Sequence, residues 1–197
     1  MTNRNFIRWS WRRAAALSFL AVPLSIQAER AYHNLPRLTH SLSNSGGCAE
    51  LPTVSIIVPA RNEENNLAKL LPSLQRIRYS GPVEIIVVDD NSTDRTAEVA
   101  AKFGARVVQA GALPPGWLGK PNACHAGAKV ATGEWLLFTD ADTVHQPDGP
   151  AEAVQYCLDR KLDGLSLFLR QETHGISDRL ALMVAFAGLY AGIGNGS

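Results

Sequence analysis

Cysteine is scarce in this chain. Cys48, Cys124 and Cys157 are odd in number and form no C-x-x-C pair, which argues against a disulfide framework and a zinc site and fits a reducing cytosolic compartment. Charge of one sign is equally scarce. The 197 residues carry a formal net charge of +1, so electrostatics give no reason to expect nucleic acid as a partner. The balance is nevertheless uneven. Arg4, Arg8, Arg12 and Arg13 lie in the first thirteen residues without any acid, while the rest carries fifteen basic and eighteen acidic residues, a net of −3. No internal repeat is visible.

Three nucleotide-binding signatures are missing as well. A dinucleotide fold requires G-x-G-x-x-G after its first strand, but Val58 is followed by Pro59-Ala60-Arg61-Asn62-Glu63. A P-loop requires Gly five residues before Gly119-Lys120 and a hydroxyl after the lysine, and positions 114 and 121 are both proline. The glycine-rich turn of sugar-phosphate nucleotidyltransferases is absent too.

What is present starts with 46% hydrophobic residues, enough for one domain with appendages. Residues 1–30 read as an apolar, membrane-associated segment. The run Ala14 to Ala28 is interrupted by Pro23, and reaching a span of about 17 to 20 residues means burying Arg12 and Arg13. An anchor, an interfacial helix and a secretory signal ending at Ser25-Ile26-Gln27-Ala28 are all compatible with this pattern. The interfacial helix is the expectation adopted, because it keeps the following domain at the cytoplasmic face of the cell membrane. Residues 31–51 form a linker, polar and glycine-containing from 39 to 47.

From there strand-like and helix-like segments alternate. Val54 to Val58 is a β-branched strand, and Leu67, Leu70, Leu71, Leu74 and Ile77 line one face of a helix. Val83 to Val88 is a strand apolar on both faces. Ser92 is placed to cap the next helix, with Asp94 in its first turn and Ala97, Ala100 and Ala101 continuing it. Arg106 to Gln109 is a short third strand. A Gly- and Pro-rich loop, Gly111 to Gly119, leads to a small-residue helix from Asn122 to Val130 and then to a strand ending at Asp140. Pro147 to Arg160 reads as a helix, and Leu165, Leu167 and Leu169 alternate like a strand. The alternation predicts an α/β fold, a Rossmann-like, mostly parallel sheet with helices on both faces. Its ligands are expected beyond the carboxyl ends of the strands.

Two of those ends are acidic. Val87-Val88 runs into Asp89-Asp90, and Leu137-Phe138-Thr139 runs into Asp140-Ala141-Asp142. Asp89 or Asp90 can accept a hydrogen bond from a uracil imide or a ribose hydroxyl, contacts that require an acceptor-only group. Asp140 and Asp142 together can hold a ribose and a Mg²⁺ or Mn²⁺ bridging two phosphates. Lys120 reaches the same phosphates as a point charge. Asp94 reads as a helix-start charge and His125 as a packed or half-exposed histidine. Glu63 stands at the end of the first strand. Together these residues describe a nucleotide-diphosphate site that stabilises a departing diphosphate, and therefore a group transfer.

Four segments in order, Val54 to Glu63, Ile85 to Asp94, Gly119-Lys120-Pro121-Asn122-Ala123 and Phe138 to Asp142, resemble the motifs of family-2 glycosyltransferases with the GT-A fold, over about residues 52 to 170. The loop Leu113 to Lys120 is similar to the branch associated with hopanoid and carotenoid glycosylation. The resemblance implies a GT-A nucleotide-sugar-binding domain at 52–175 and an inverting, metal-assisted transfer from a nucleotide-diphosphate sugar, a UDP-sugar foremost, to a lipid-like acceptor. It implies that Pro59, Ala60, Arg61 and Glu63 hold the nucleoside, with Asp90 as base contact. Asp140 is implied as a ribose or metal contact and Asp142 as the metal ligand.

The chain departs from the pattern in one respect. The family's general base lies beyond the Asp-x-Asp in a Glu-Asp pair, often followed by Gln-x-x-Arg-Trp, and neither occurs after Asp142. The catalytic base is therefore unassigned, the chain reads as the donor-binding, N-terminal part, and the alternative is a nucleotide-sugar-binding remnant without transferase activity. The last apolar run, Leu180 to Ile193 within 176–197, is short for a span and reads as an interfacial or buried helix.

Overall fold

Val54, Ile56 and Val58 alternate with Ser55 and Ile57 along a strand buried on both sides, and this strand organises the molecule. The structure is a computed structural model that describes residues 50–167 and Gly175. In chain order the elements are β1 (Val54–Ala60), α1 (Glu64–Leu74), β2 (Val83–Asp89), α2 (Thr96–Lys102), β3 (Arg106–Gln109), α3 (Gly119–Val130), β4 (Trp135–Phe138) and α4 (Gly149–Arg160). The four strands form one sheet in the order β3-β2-β1-β4, with every pair parallel. The expectation of an α/β fold with a parallel sheet is met.

Strand parity divides the core. On one face Ile56, Val58, Ala60 and Val87 meet Leu67, Leu70, Leu71 and Leu74 of α1 and Ala100 of α2. On the other, Ile57, Ile86 and Val88 meet Ala123 of α3, with Ala126 and Val130 packed against them. Each fully buried leucine of α1 contributes on the order of 1.5–3 kcal/mol relative to exposure. Contact on the α3 side is tight, because a Cβ at Gly127 would stand 2.5 Å from Ile57 Cγ2 and 2.9 Å from Val88 Cγ2. Small residues let this helix sit low on the sheet.

The order of strands follows from crossover handedness. The steps from β1 to β2 to β3 run in one direction and put α1 and α2 on the same face. The return from β3 to β4 runs the other way, so a right-handed crossover puts α3 on the opposite face. The reversal makes the boundary between β1 and β4 a topological switch point, where the chain ends splay and leave a crevice.

Several sequence expectations are adjusted. β1 continues through Pro59 to Ala60 instead of stopping at Val58. Proline is tolerated because its missing N–H faces the β4 side, where β4 has already ended opposite Ile57. α2 starts at Thr96, and Ser92 does not cap it, since no side chain caps that helix at its N-cap residue Arg95. The Ser92 hydroxyl instead accepts the backbone N–H of Asn62 at 3.0 Å. Residues 164–167 are irregular, with Leu165 and Leu167 exposed, because alternation alone provides no ladder partner. The predicted N-terminal segment 1–30, all of the linker except Glu50 and Leu51, Leu169 and the terminal helix of 176–197 lie outside the described residues. Among the described residues no helix is long and apolar enough to cross a membrane.

Candidate functional site

Two left-handed asparagines shape the carboxyl ends of β1 and β2. Asn62 (φ 56°) and Asn91 (φ 58°) turn the chain sharply after each strand, a conformation asparagine adopts more readily than most residues. The two turns then lock together. Asn62 Oδ1 accepts the N–H of Thr93 at 2.8 Å, and Thr96 Oγ1 accepts that of Glu63 at 2.8 Å. Asp94 bridges two helix starts, accepting the Glu64 amide through Oδ2 at 3.2 Å and the Thr96 amide through Oδ1 at 3.0 Å. Its carboxyl is held below the usual range, first by the Thr96 hydroxyl and then by these amides. Asp94 is a helix-start charge, as expected, and serves two helices at once.

The adjacent acids of β2 part company here. Asp89 is the last residue in register with Ala60 and Gln109, and it is 6% exposed. Its Oδ1 accepts the Ser92 amide at 3.0 Å and its Oδ2 accepts Gln109 Nε2 at 3.1 Å. Asp90 turns the other way, towards the crevice between β1 and β4.

That crevice is a cavity of about 380 Å³. Pro59, Ala60, Arg61 and Glu63 line it from the end of β1, Asp90 from β2, Gly119, Lys120 and Ala123 from α3, and Asp140, Ala141 and Asp142 from beyond β4. Of the site residues expected from the sequence, the structure brings together Pro59, Ala60, Arg61, Glu63, Asp90, Lys120, Asp140 and Asp142. Asp89 stands outside and ties the supporting turn. The Glu63 carboxylate accepts a hydrogen bond from Asn66 Nδ2.

Asp90 sits against the start of α3. A Cβ at Gly119 would lie 2.6 Å from Asp90 Oδ2, so glycine is what admits the carboxylate to the positive end of that helix. Arg61 Nη1 approaches the same oxygen at 4.0 Å. Across the cavity, Lys120 Nζ and Asp140 Oδ1 form an ion pair at 2.6 Å, with both side chains more than half exposed. Asp140 hydrogen bonding raises the Lys120 pKa, so the ammonium stays charged throughout the neutral range. Asp142 is exposed two residues further on.

The turn carrying Asp140 and Asp142 is anchored from behind. Thr139 N donates to Ile57 O at 3.1 Å, and Thr139 Oγ1 lies 2.9 Å from His145 Nε2. His145 N donates to Ser73 Oγ of α1 at 3.1 Å. Burial lowers the His145 pKa and keeps the ring neutral. The residues that sequence reasoning missed are these supports, Gly119, Thr139 and His145. A glycine directly before a lysine at a helix start was a usable signal for the first, whereas the His145 contact spans loops and had none.

Chemically, the cavity combines the carboxylates of Glu63 and Asp90, two cations, and the carboxylates of Asp140 and Asp142 separated by one residue. Among the described residues there is no group of three or more His, Cys, Asp or Glu side chains able to hold a metal by themselves. Two carboxylates suit a hard cation whose remaining positions are filled by water and phosphate.

Residues 55–171 match Glycosyl transferase family 2. The chain is 44% identical over 104 residues to 4,4'-diaponeurosporenoate glycosyltransferase of Staphylococcus haemolyticus (strain JCSC1435), covering 52% of this chain and 27% of that protein. It thus spans about a quarter of the length of this curated relative. Similarity to solved structures includes the mannosyltransferase PcManGT from Pyrobaculum calidifontis in complex with GDP-Man and Mn²⁺ (TM-score 0.48, 25% identity, 73% of this chain and 43% of that one). It also includes S. aureus TarS 1-349 in complex with UDP-GlcNAc (TM-score 0.46, 26% identity, 59% and 37%).

Proposed function

The chain belongs to glycosyl transferase family 2, and from that premise we propose that its cavity binds a nucleotide-diphosphate sugar, a UDP-sugar foremost. The protein is then the donor-binding part of a glycosyltransferase that passes the sugar, with inversion, to a lipid-like acceptor at the cytoplasmic face of the cell membrane. The observation that carries the reading is the convergence of four separate segments, at 59–63, 90, 119–123 and 140–142, on one cavity at the switch point. The lipid-like acceptor is supported by the carotenoid-associated name of the Staphylococcus relative. The cytoplasmic placement is supported by the cytosolic origin of nucleotide-sugar donors.

Each residue has a role set by its chemistry. Asp90, which accepts but does not donate, receives the imide N–H of the base or a ribose hydroxyl. Pro59, Ala60, Arg61 and Glu63 wall the nucleoside. Lys120 exchanges its pairing with Asp140 for the diphosphate, one negative partner for another, and because the Asp140 pair is largely exposed the exchange costs little. Asp140 and Asp142 fit a Mg²⁺ or Mn²⁺ completed by the donor's own phosphates. When bound there, the ion neutralises the leaving diphosphate.

A second reading, binding without transfer, has one observation in its favour. Of the four carboxylates lining the cavity, the roles above give Glu63 and Asp90 to the nucleoside and Asp140 to the metal. With Asp142 also a metal ligand, no carboxylate among the described residues of the cavity remains to take a proton from an acceptor hydroxyl.

Calorimetric titration of a UDP-sugar, with Mg²⁺ or Mn²⁺ and then with chelator, tests the site. Saturable binding that chelator weakens is expected, and binding indifferent to both chelator and Asp142→Ala overturns it. Release of UDP with and without a lipid acceptor separates transfer from binding alone.

A further inference from the structure

Eight consecutive uncharged residues, Gly-Ala-Leu-Pro-Pro-Gly-Trp-Leu at 111–118, are all exposed. Leu113 is 55%, Trp117 42% and Leu118 74% accessible, an unusual concentration of large apolar side chains on one connection. The loop is held in shape. Gly111 (φ 76°) and Gly116 (φ 80°) take left-handed turns, and Trp117 N donates to Pro114 O at 3.1 Å. The Trp117 ring lies 5.3 Å from that of His125 of α3, tilted by 46°. Behind it is a second cavity of about 450 Å³, to which Asn122, His125 and Lys129 contribute from α3.

Along the chain, the loop lies in a stretch whose charges have one sign, and the acids nearest it in space, Asp90 and Asp140, are on the donor-cavity side at Gly119 and Lys120. From Val99 to Gly133 the chain contains no aspartate or glutamate, but includes Lys102, Arg106, Lys120 and Lys129. Arg106 pairs with Glu84 at 3.1 Å and Lys120 with Asp140. Among the described residues Lys129 has no ion pair, and Lys102 belongs to α2 on the other face of the sheet. The lining of the second cavity includes Lys129 and His125 and no acid.

An uncharged, exposed Trp-Leu tip sharing a cavity wall with the unpaired Lys129 has the chemistry of an interfacial segment: the aromatic ring sits at headgroup level, leucines enter the acyl boundary, and a cation meets anionic lipid. We infer that the loop 111–118, with Lys129 beside it, is the surface that seats this domain on an anionic bilayer. The inference rests on the donor-site reading and deepens it. Leu118 directly precedes Gly119 and Lys120, which line the donor cavity, so a loop seated in the headgroups holds the mouth of that cavity at the depth where a lipid acceptor's polar end lies.

The test uses the full chain with Trp117 as its single tryptophan, made by Trp9→Phe, Trp11→Phe and Trp135→Phe. Vesicles of phosphatidylglycerol and of phosphatidylcholine, each with brominated acyl chains, are added while Trp117 emission is followed. The expected result is a blue shift and quenching with phosphatidylglycerol, weaker with phosphatidylcholine, and reduced at least severalfold by Lys129→Glu or by Leu118→Ser. Unchanged Trp117 emission in chains that co-sediment with vesicles overturns the inference, including when another part of the chain or a protein partner covers the loop. Binding through the N-terminal segment alone gives that same unchanged signal. UDP-sugar calorimetry without vesicles reads the donor site separately, so failure of one is distinguishable from failure of the other.

Discussion

At the end of β2, Asp89 is buried and answers two donors, the Ser92 amide and the Gln109 side chain, whereas at the end of β4, Asp140 and Asp142 are exposed and, among the described residues, Asp140 alone is ion-paired, with the largely exposed Lys120. Both segments read alike in sequence, an apolar run closing on two acids. The difference lies in how far each strand's ladder runs. β2 stays in register with β1 to Ala60 and with β3 to Gln109, so its terminal acid is enclosed. β4 loses β1, its sheet partner among the described residues, at Phe138, and the acids that follow face solvent and the cavity. Enclosed acids hold a turn in place, and exposed ones are available for exchange.

The comparison is broken most sharply by exchanging the roles. Asp142→Ala is expected to lower cation-dependent donor affinity about 100-fold, roughly 2.8 kcal/mol, with the melting temperature almost unmoved. Calorimetry paired with thermal denaturation checks both halves. Asp89→Ala is expected to do the reverse, costing about 2 kcal/mol of stability by stranding two donors, measured as a lower denaturant midpoint. Donor affinity comparable to the parent in the folded Asp89→Ala protein supports the division, while equal losses at both positions end it.

Smaller effects sharpen the same contrast. Gly119→Ala puts a methyl 2.6 Å from Asp90 Oδ2 and must displace that carboxylate, although alanine suits a helix better than glycine. Donor affinity is expected to fall about tenfold, roughly 1.4 kcal/mol, without loss of stability. An unchanged affinity removes Asp90 from the binding machinery.

The smallest effect is a pH dependence. His145 has its pKa lowered by burial, so the native ring stays neutral where the unfolded one takes up a proton. Its contribution is fully present above the ordinary value of 6.5 and is lost as pH falls from there through the folded value. Melting temperature should therefore decline on acidification from neutral pH, and His145→Gln should flatten that decline.

Much of this arrangement was legible from residue order. The leucines at 67, 70, 71 and 74 and the β-branched runs at 54–58 and 83–88 announce their elements, because periodicity reports which face is buried. The four motif segments likewise named nearly all the residues that line the cavity. Less legible were Ser92, whose hydroxyl meets Asn62 across the turn instead of capping α2, and Leu165 with Leu167, whose alternation found no strand to pair with. Each of those depends on a neighbour distant in sequence.

By itself the sequence determined the alternation of strands and helices, the acids at two strand ends and the glycine before Lys120, since these follow from local sterics and burial. Only the tertiary structure decided that β4 lies beside β1, that Asp90 faces the crevice while Asp89 closes a turn, and that His145 braces the Asp140 loop. Such facts come from strand register and crossover direction, which bring residues together over 30 to 80 positions of chain and leave no local pattern to read.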